Sequence, residues 1–244
     1  MDLFVREISL PEPAPRDEYF GRLGVVTGLE REPLVFRAPV TFITGENGVG
    51  KSTLVEAIAV AMGFNAEGGT RNIRFATRDT HSSLGSLIRV TKGARRLRDG
   101  FFLRAESFYN FATGIEEVGA LRSYGGVSLH GQSHGESFIS LVMNRFGGNG
   151  LYILDEPEAA LSPMRQMTLI CLMDGLVKAG SQFIVSTHSP ILMSFPGAEV
   201  LQIEDGRIRS VPYFETEHFI MTKRFLNDPE GMLRRLLGED ETEE

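Results

Sequence analysis

Short apolar runs alternate with glycine-bounded polar stretches along most of the chain, and they fall into two periods. Residues 40–44 (Val-Thr-Phe-Ile-Thr), 151–154 (Leu-Tyr-Ile-Leu) and Gln182–Ser186 are nearly continuous and rich in β-formers. That is the pattern of strands buried on both faces. Residues 4–10, with Val5, Ile8 and Leu10, predict a first strand. Residues 23–27 and 34–36 predict two short strands around a turn at 30–33, and 86–90 and 101–104 predict two more. Glu199–Glu204 and residues 206–210 read as a hairpin turning at Asp205 and Gly206. Helical spacing predicts helices from Lys51 to about Met62, over 137–144 and over Pro163–Lys178. Phe108, Phe111, Ile115 and Val118 share one helical face, residues 64–75 read as irregular, and Asp228-Pro229 reads as a cap and first position for a helix over 230–237. Strands alternating with helices imply an α/β core with a largely parallel sheet.

Glycine is the compositional outlier, with 27 residues, of which 21 lie in the first 150. The skew points to a front portion rich in tight turns. The length suits one large domain or one domain with a small insertion, and the net charge of −7 argues against a wholly basic nucleic-acid coat. The single cysteine, Cys171, excludes a disulfide framework and a multi-cysteine metal site, and its Leu-Ile-Cys-Leu-Met setting predicts a packed core position. The first twenty residues are acidic and proline-rich rather than basic then apolar, and no apolar run reaches 18 residues. The expectation is a cytoplasmic protein without direct membrane insertion.

Three segments carry chemistry. Gly45-Glu46-Asn47-Gly48-Val49-Gly50-Lys51-Ser52 matches G-x-x-x-x-G-K-[ST] between a predicted strand and a predicted helix, with Thr53 next. Such a loop turns backbone N–H groups toward phosphates at the positive end of a helix. Lys51 then meets the β and γ phosphates, and the Ser52 hydroxyl holds Mg²⁺. The apolar strand at 151–154 ends in Asp155 and Glu156, suited to positioning Mg²⁺ and to orienting or deprotonating an attacking water. Residues 183–190 run from a buried strand, expected to neighbour the strand of Glu156, into Ser-Thr-His188-Ser-Pro, which offers a histidine to the γ-phosphate or to that water.

Together these segments resemble the ABC-type ATPase domain of P-loop NTPases, in particular its soluble SMC-, RecF- and OLD-like branch, over residues from about 34 to 210. Gly-Glu-Asn-Gly-Val-Gly-Lys-Ser-Thr looks like the Walker A motif, 151–161 like the Walker B motif with its D-loop, and Ser-Thr-His-Ser-Pro like the switch-histidine segment. Residues 128–138 stand where the signature is expected, with Ser133, His134 and Gly135 at its core. The resemblance implies a mostly parallel core sheet, an antiparallel β subdomain and a short helical signature insertion. It also implies an ATP-dependent head-to-tail homodimer in which the signature meets the γ-phosphate of the opposing subunit.

This sequence departs from the family pattern in three places. The signature reads Ser-His-Gly-Glu rather than Ser-Gly-Gly-Gln, and Glu136 reads most simply as a helix cap. No Q-loop glutamine stands near 101–108; Glu106 takes that role of approaching Mg²⁺ or water, with Arg104 and Ser107 as alternatives. Ala159-Ala-Leu-Ser-Pro163 lacks the aspartate of transporter D-loops, which tilts away from transport. Tyr19, Phe20 or Phe36 stacks on the adenine or packs in the core.

The expectation is therefore a Mg²⁺- and ATP-dependent ATPase, one domain over 1–244, with an insertion at 65–136 and a C-terminal helical extension and acidic tail at 211–244. Phe219, Phe225, Leu226, Met232, Leu233, Leu236 and Leu237 of that extension are expected to pack back on the core, partner docking being the alternative. Arg89, Lys92, Arg95, Arg96 and Arg98 form a basic cluster that either grips a phosphate backbone or is a solvated hairpin. The work of the cycle then falls on a protein partner, with DNA the weaker candidate. The alternatives are the ATP-binding subunit of a transporter and a nucleotide-gated scaffold with slow hydrolysis.

Overall fold

The computed structural model describes residues 2–66, 68–70, 82–106, 108 and 133–238. In chain order these form β1 (Val5–Ser9), α1 (Gly24–Arg31), β2 (Leu34–Val35), β3 (Val40–Gly45), α2 (Lys51–Ala61), α3 (Leu84–Leu87), β4 (Arg89–Lys92), β5 (Asp99–Arg104) and α4 (His134–Arg145). There follow β6 (Gly150–Asp155), α5 (Pro163–Lys178), β7 (Gln182–Ser186), α6 (Pro190–Met193), β8 (Glu199–Glu204), β9 (Arg207–Ser210), α7 (Glu217–Asn227) and α8 (Pro229–Leu237). The expected helical face through Phe111, Ile115 and Val118, residues 128–132, Ser107 and the acidic tail lie outside the described residues.

The central sheet runs β5-β6-β7-β3-β8-β9. Its first five strands are parallel, and β9 closes it antiparallel to β8. A smaller antiparallel sheet, β2-β1-β4, lies apart from it in pairing. This is the mostly parallel α/β core with an antiparallel subdomain that the sequence leads one to expect. Its decisive feature is that β7 stands between β3 and β6, so the C-terminal ends of three neighbouring strands deliver three of the candidate segments to one crevice.

Alternate residues of each central strand feed opposite faces. Ile43, Ile153 and Ile184 pack with Leu54 and Ile58 of α2 on one face. Phe42, Tyr152, Leu154 and Phe183 pack with Phe138 of α4 and Leu169 of α5 on the other. Each such fully buried side chain contributes roughly 1.5–3 kcal/mol through burial. The strand ends are therefore fixed by a core on both sides.

Four expectations are corrected. Residues 23–27 are not a strand: Val25, Val26 and Leu29 are all buried on α1, an arrangement with helical spacing that overrides the β-propensity of the two valines. Residues 86–90 are likewise split between the one-turn helix α3 and the start of β4. Cys171 is exposed. Helix α5 buries Gln166, Leu169 and Met173, and a residue two positions from Leu169 is about 200° around the helix from that face. The C-terminal extension folds back only in part: Val211 and Tyr213 pack against the core, and Phe219 and Met232 are half-buried. Phe225, Leu226, Leu233, Leu236 and Leu237 are exposed, and α7 buries no residue. The Asp228 cap itself forms, its carboxylate accepting the Gly231 N–H at 2.9 Å.

Among the described residues no helix is long and apolar enough to cross a membrane.

Candidate active site

The loop after β3 is held open by glycine. Gly48 (φ +84°) and Gly50 (φ +99°) occupy the left-handed region that side chains rarely adopt. At Gly50 a Cβ would stand 2.7 Å from Val25 Cγ1, whereas above Gly48 there is free space. Gly50 is also the N-cap of α2, so the helix begins at the loop and its unpaired N–H groups face the same side. Lys51, only 4% exposed, folds back over the loop. Its ammonium donates to the carbonyls of Gly45 and Glu46 at 3.0 Å each. Burial pushes its pKa down, against the opposing pull of Glu156, Asp155 and Glu158. An amine desolvated among carboxylates and aimed along a glycine loop is chemically suited to a polyphosphate.

Asp155 ends β6 opposite Ser186 of β7 in the sheet register. The Ser186 hydroxyl donates to Asp155 Oδ1 at 2.5 Å, Arg104 Nε lies 3.4 Å from Oδ2, and Ser52 also hydrogen-bonds the carboxylate. Burial raises the pKa of Asp155, and the contacts with Ser186, Arg104 and Ser52 pull it back. The Ser52 hydroxyl and Asp155 carboxylate together are the hard-oxygen donors that Mg²⁺ prefers. Arg104 also donates to Glu56 of α2 at 2.8 Å, which braces the end of β5 against the phosphate-loop helix. Glu106, two residues beyond β5, is exposed.

Glu156 stands in the left-handed region (φ 48°, ψ 53°), a strained conformation for a non-glycine residue. Its N–H donates to the Ser186 carbonyl at 3.1 Å, which pins the turn to β7. His188 Nε2 lies 3.6 Å from Glu156 Oε1. That ring nitrogen is buried and has no hydrogen-bond partner among the described residues. Buried polar atoms are ordinarily hydrogen-bonded, and a phosphate oxygen is chemically suited to accept from this one. The expected adjacency of His188 and Glu156 on neighbouring strands is thus realised.

Ser133 caps α4. Its N–H and its hydroxyl both donate to Glu136 Oε2, at 3.0 and 2.8 Å, and Arg165 of α5 donates to Ser133 Oγ at 3.2 Å and to Glu136 Oε1 at 2.9 Å. Glu136 therefore points at the helix's own start, the geometry of a cap. These contacts hold its pKa below the usual carboxylate range. His134 is exposed and Gly135 is buried beside Arg165.

Of the three adenine candidates, Phe20 and Phe36 are buried in the core, while Tyr19 is exposed. Tyr19 opens the turn that leads into α1, whose Val25 N–H donates to Val49 of the phosphate loop at 3.0 Å.

Sequence reasoning missed three contributors. Glu158 Oε1 accepts the His188 backbone N–H at 2.6 Å. His218 of α7 places Nε2 2.8 Å from His188 Nδ1, and its Nδ1 lies 3.3 Å from Thr44 Oγ1. Beside them a cavity of about 520 Å³ is lined by Glu46, Asn47, His188, Glu217, His218, Met221 and Thr222. Only Glu158 had a usable signal, its position two residues after Glu156.

A family profile described as "AAA domain" matches residues 26–115, and another, "AAA domain, putative AbiEii toxin, Type IV TA system", matches residues 128–194. Among solved structures the chain resembles cbiO1 from Clostridium perfringens, described as part of the ABC transporter complex cbiONQ, at 18% identity and a TM-score of 0.50, covering 98% of this chain and 100% of that one. It also matches the SMC head domain from Thermotoga maritima at 17% identity and a TM-score of 0.46, covering 86% of this chain and 99% of that one. The likeness to cbiO1 bears on the fold. No curated protein matches the chain.

Proposed function

We propose that the chain is a P-loop ATPase of the ABC type that binds MgATP across the ends of β3, β6 and β7, a reading supported by the AAA-domain profiles over 26–115 and 128–194 and by the fold it shares with cbiO1. The chain hydrolyses ATP in a head-to-tail homodimer. The observation that carries this reading is the convergence of Lys51, Asp155, Glu156 and His188 on three adjacent strand ends, with His188 Nε2 3.6 Å from Glu156 Oε1.

Backbone N–H groups of residues 45–53 and the start of α2 cradle the phosphates, and Lys51 exchanges its loop carbonyls for β- and γ-phosphate oxygens. Tyr19 is the adenine-stacking candidate. Ser52 and Asp155 hold Mg²⁺, with Glu106 as the further oxygen donor. When bound, the ion neutralises charge on the phosphate oxygens. Glu156 takes a proton from water as the water oxygen bonds the γ-phosphorus and the bond to the β–γ bridging oxygen breaks, the electron pair leaving with ADP. His188 donates its Nε2 proton as a hydrogen bond to the γ-phosphate. Ser133, His134 and Gly135, at the start of α4, meet the γ-phosphate held by the opposing protomer.

The exposed apolar side chains of α7 and α8 favour a protein partner as the object of the cycle. Arg95 of the basic cluster is already engaged within the chain, which weakens the nucleic-acid reading. The Glu156→Gln protein tests the whole scheme. It is expected to form a stable dimer on MgATP without turnover, measured by light scattering and phosphate release. A variant that stays monomeric with ATP overturns the composite-site reading.

A further inference from the structure

The segment after β7 ends in His188, and this ring meets a second histidine 30 residues further along the chain. His218 lies on the second residue of α7, whose start is fixed twice by Thr216. The Thr216 hydroxyl donates to the Tyr213 carbonyl at 2.8 Å and accepts the Phe219 N–H at 3.4 Å. Tyr213, Phe214 and Phe219 pack edge to face and tilted, with ring centroids 4.8–5.1 Å apart, and so anchor the same turn. The helix buries no residue outright. Glu217, His218 and Thr222 face the cavity beside His188, and His218 is the side chain that hydrogen-bonds that ring.

The contacts form a chain of four groups: Thr44 Oγ1, 3.3 Å from His218 Nδ1; His218 Nε2, 2.8 Å from His188 Nδ1; and His188 Nε2, 3.6 Å from Glu156 Oε1. With both rings neutral, only two proton arrangements satisfy the central contact. In one, Thr44 donates to His218, His218 donates to His188, and His188 carries its proton on Nε2, facing Glu156. In the other every direction is reversed, and His188 turns a bare lone pair on Nε2 toward the Glu156 carboxylate. Two acceptors facing each other in a half-buried crevice repel, so the first arrangement is selected.

We propose that His218 is the positioning residue for His188: by donating from Nε2 to His188 Nδ1 it fixes the ring and leaves the His188 proton on Nε2, where a γ-phosphate oxygen can accept it. The C-terminal helix is thereby a working part of the active site. This rests on the reading of His188 as the γ-phosphate contact. Burial and the Lys51 charge hold both rings neutral, with His188 pushed down to about 4, while Glu217 beside His218 acts in the opposite sense on that ring.

The test uses the full chain and has two readouts. In steady-state ATPase assays, His218→Phe is expected to lower kcat about tenfold or more while KM for ATP changes less than about twofold. His218→Gln, which can restore an N–H donor near the same place, recovers most of kcat. In a His188→Ala background, His218→Phe has no further effect. A wild-type kcat in His218→Phe, an equal loss in His218→Gln, or an equal loss in the His188→Ala background overturns the assignment. Melting temperatures check that the variants fold. The second readout needs no turnover: in histidine labelled with nitrogen-15, His188 of the wild type carries its proton on Nε2, and His218→Phe mixes the two tautomers. A wild-type His188 protonated on Nδ1 refutes the inference even if ATP is hydrolysed. The expected tautomer in a protein that fails to hydrolyse ATP refutes the ATPase reading alone.

Discussion

The Glu158 carboxylate accepts the backbone N–H of His188 at 2.6 Å, tying the turn after β6 to the turn after β7. Burial raises the pKa of Glu158, and its hydrogen bonds with His188 and Thr187 pull it back. The residue is thus spent on geometry. It sets the backbone from which His188 reaches Glu156, and it does so from within the same short turn that carries Glu156.

Replacing Glu158 by alanine removes a charge-assisted bond of about 1.5–3 kcal/mol and frees the backbone at His188. The expected result is a kcat lower by about tenfold to a hundredfold. ATP affinity stays within about threefold, because Lys51 and the glycine loop are untouched. Titration calorimetry with a non-hydrolysable nucleotide, beside steady-state kinetics, separates the two quantities. A parallel loss of affinity contradicts this division of labour.

The phosphate loop, Asp155-Glu156 and His188 were legible because each is a short motif next to a strand whose unbroken apolar run announces itself. The order of those strands was only partly legible: neighbouring positions for His188 and Glu156 followed from the motif logic and recur in the β6–β7 pairing. His218 was not legible. It comes from a helix whose sequence advertises only apolar residues, and its contact with His188 is purely tertiary. Local propensity misled at Val25 and Val26, where three-dimensional packing makes a helix out of β-formers. At Cys171 an apolar neighbourhood in sequence concealed the outward face of α5. The sequence between residues 108 and 133 has few periodic signals beyond one helical face.

Gly48 and Gly50 share a left-handed backbone but differ in surroundings, so alanine separates conformational strain from crowding. Gly48→Ala faces open space and bears strain of about 1–2 kcal/mol, a melting temperature lower by roughly 2–6 °C. Gly50→Ala adds collision with Val25 and Leu23, and the loss grows to roughly 5–15 °C. Both lose ATP binding, because the loop must curl to present its N–H groups. Differential scanning calorimetry ranks the two, and equal losses contradict the crowding at Gly50.

Arg95 belongs to the basic cluster by sequence and to the fold by contact. Its guanidinium lies 5.0 Å from the Phe4 ring centroid, donates to the Gly180 carbonyl at 3.1 Å and hydrogen-bonds Asn149. Arg95→Ala is expected to cost about 1–2 kcal/mol, or roughly 2–6 °C in melting temperature, through lost cation–π and hydrogen-bond contacts. Arg96 and Arg98 are exposed, and their replacement leaves the melting temperature within about 1 °C. Retention on duplex DNA at low salt, followed across salt concentrations, is expected to be weak in all three. A steep salt slope that falls with Arg96→Ala or Arg98→Ala would restore a nucleic-acid role to the cluster.

The two histidines give stability a characteristic pH dependence. Both have pKa values below the ordinary 6.5 in the folded protein, His188 at about 4, chiefly through burial. Above pH 6.5 both states hold these rings neutral and the groups contribute nothing to the difference. As pH falls below 6.5 the unfolded chain takes up protons that the folded chain refuses, so stability is lost progressively until pH nears the folded value of about 4. At about pH 5.5 the loss from His188 alone is on the order of 1 kcal/mol. Asp155 and Glu158, whose pKa values burial raises, act in the opposite direction at the acid end of the same window. The measurement is therefore a difference: the drop in melting temperature between about pH 7.5 and 5.5 is compared in the wild type and in His188→Asn. The variant is expected to drop less, by roughly 2–4 °C. An identical drop in both means that His188 is solvated enough to titrate normally, and that its ring does not sit in the crevice beside Glu156.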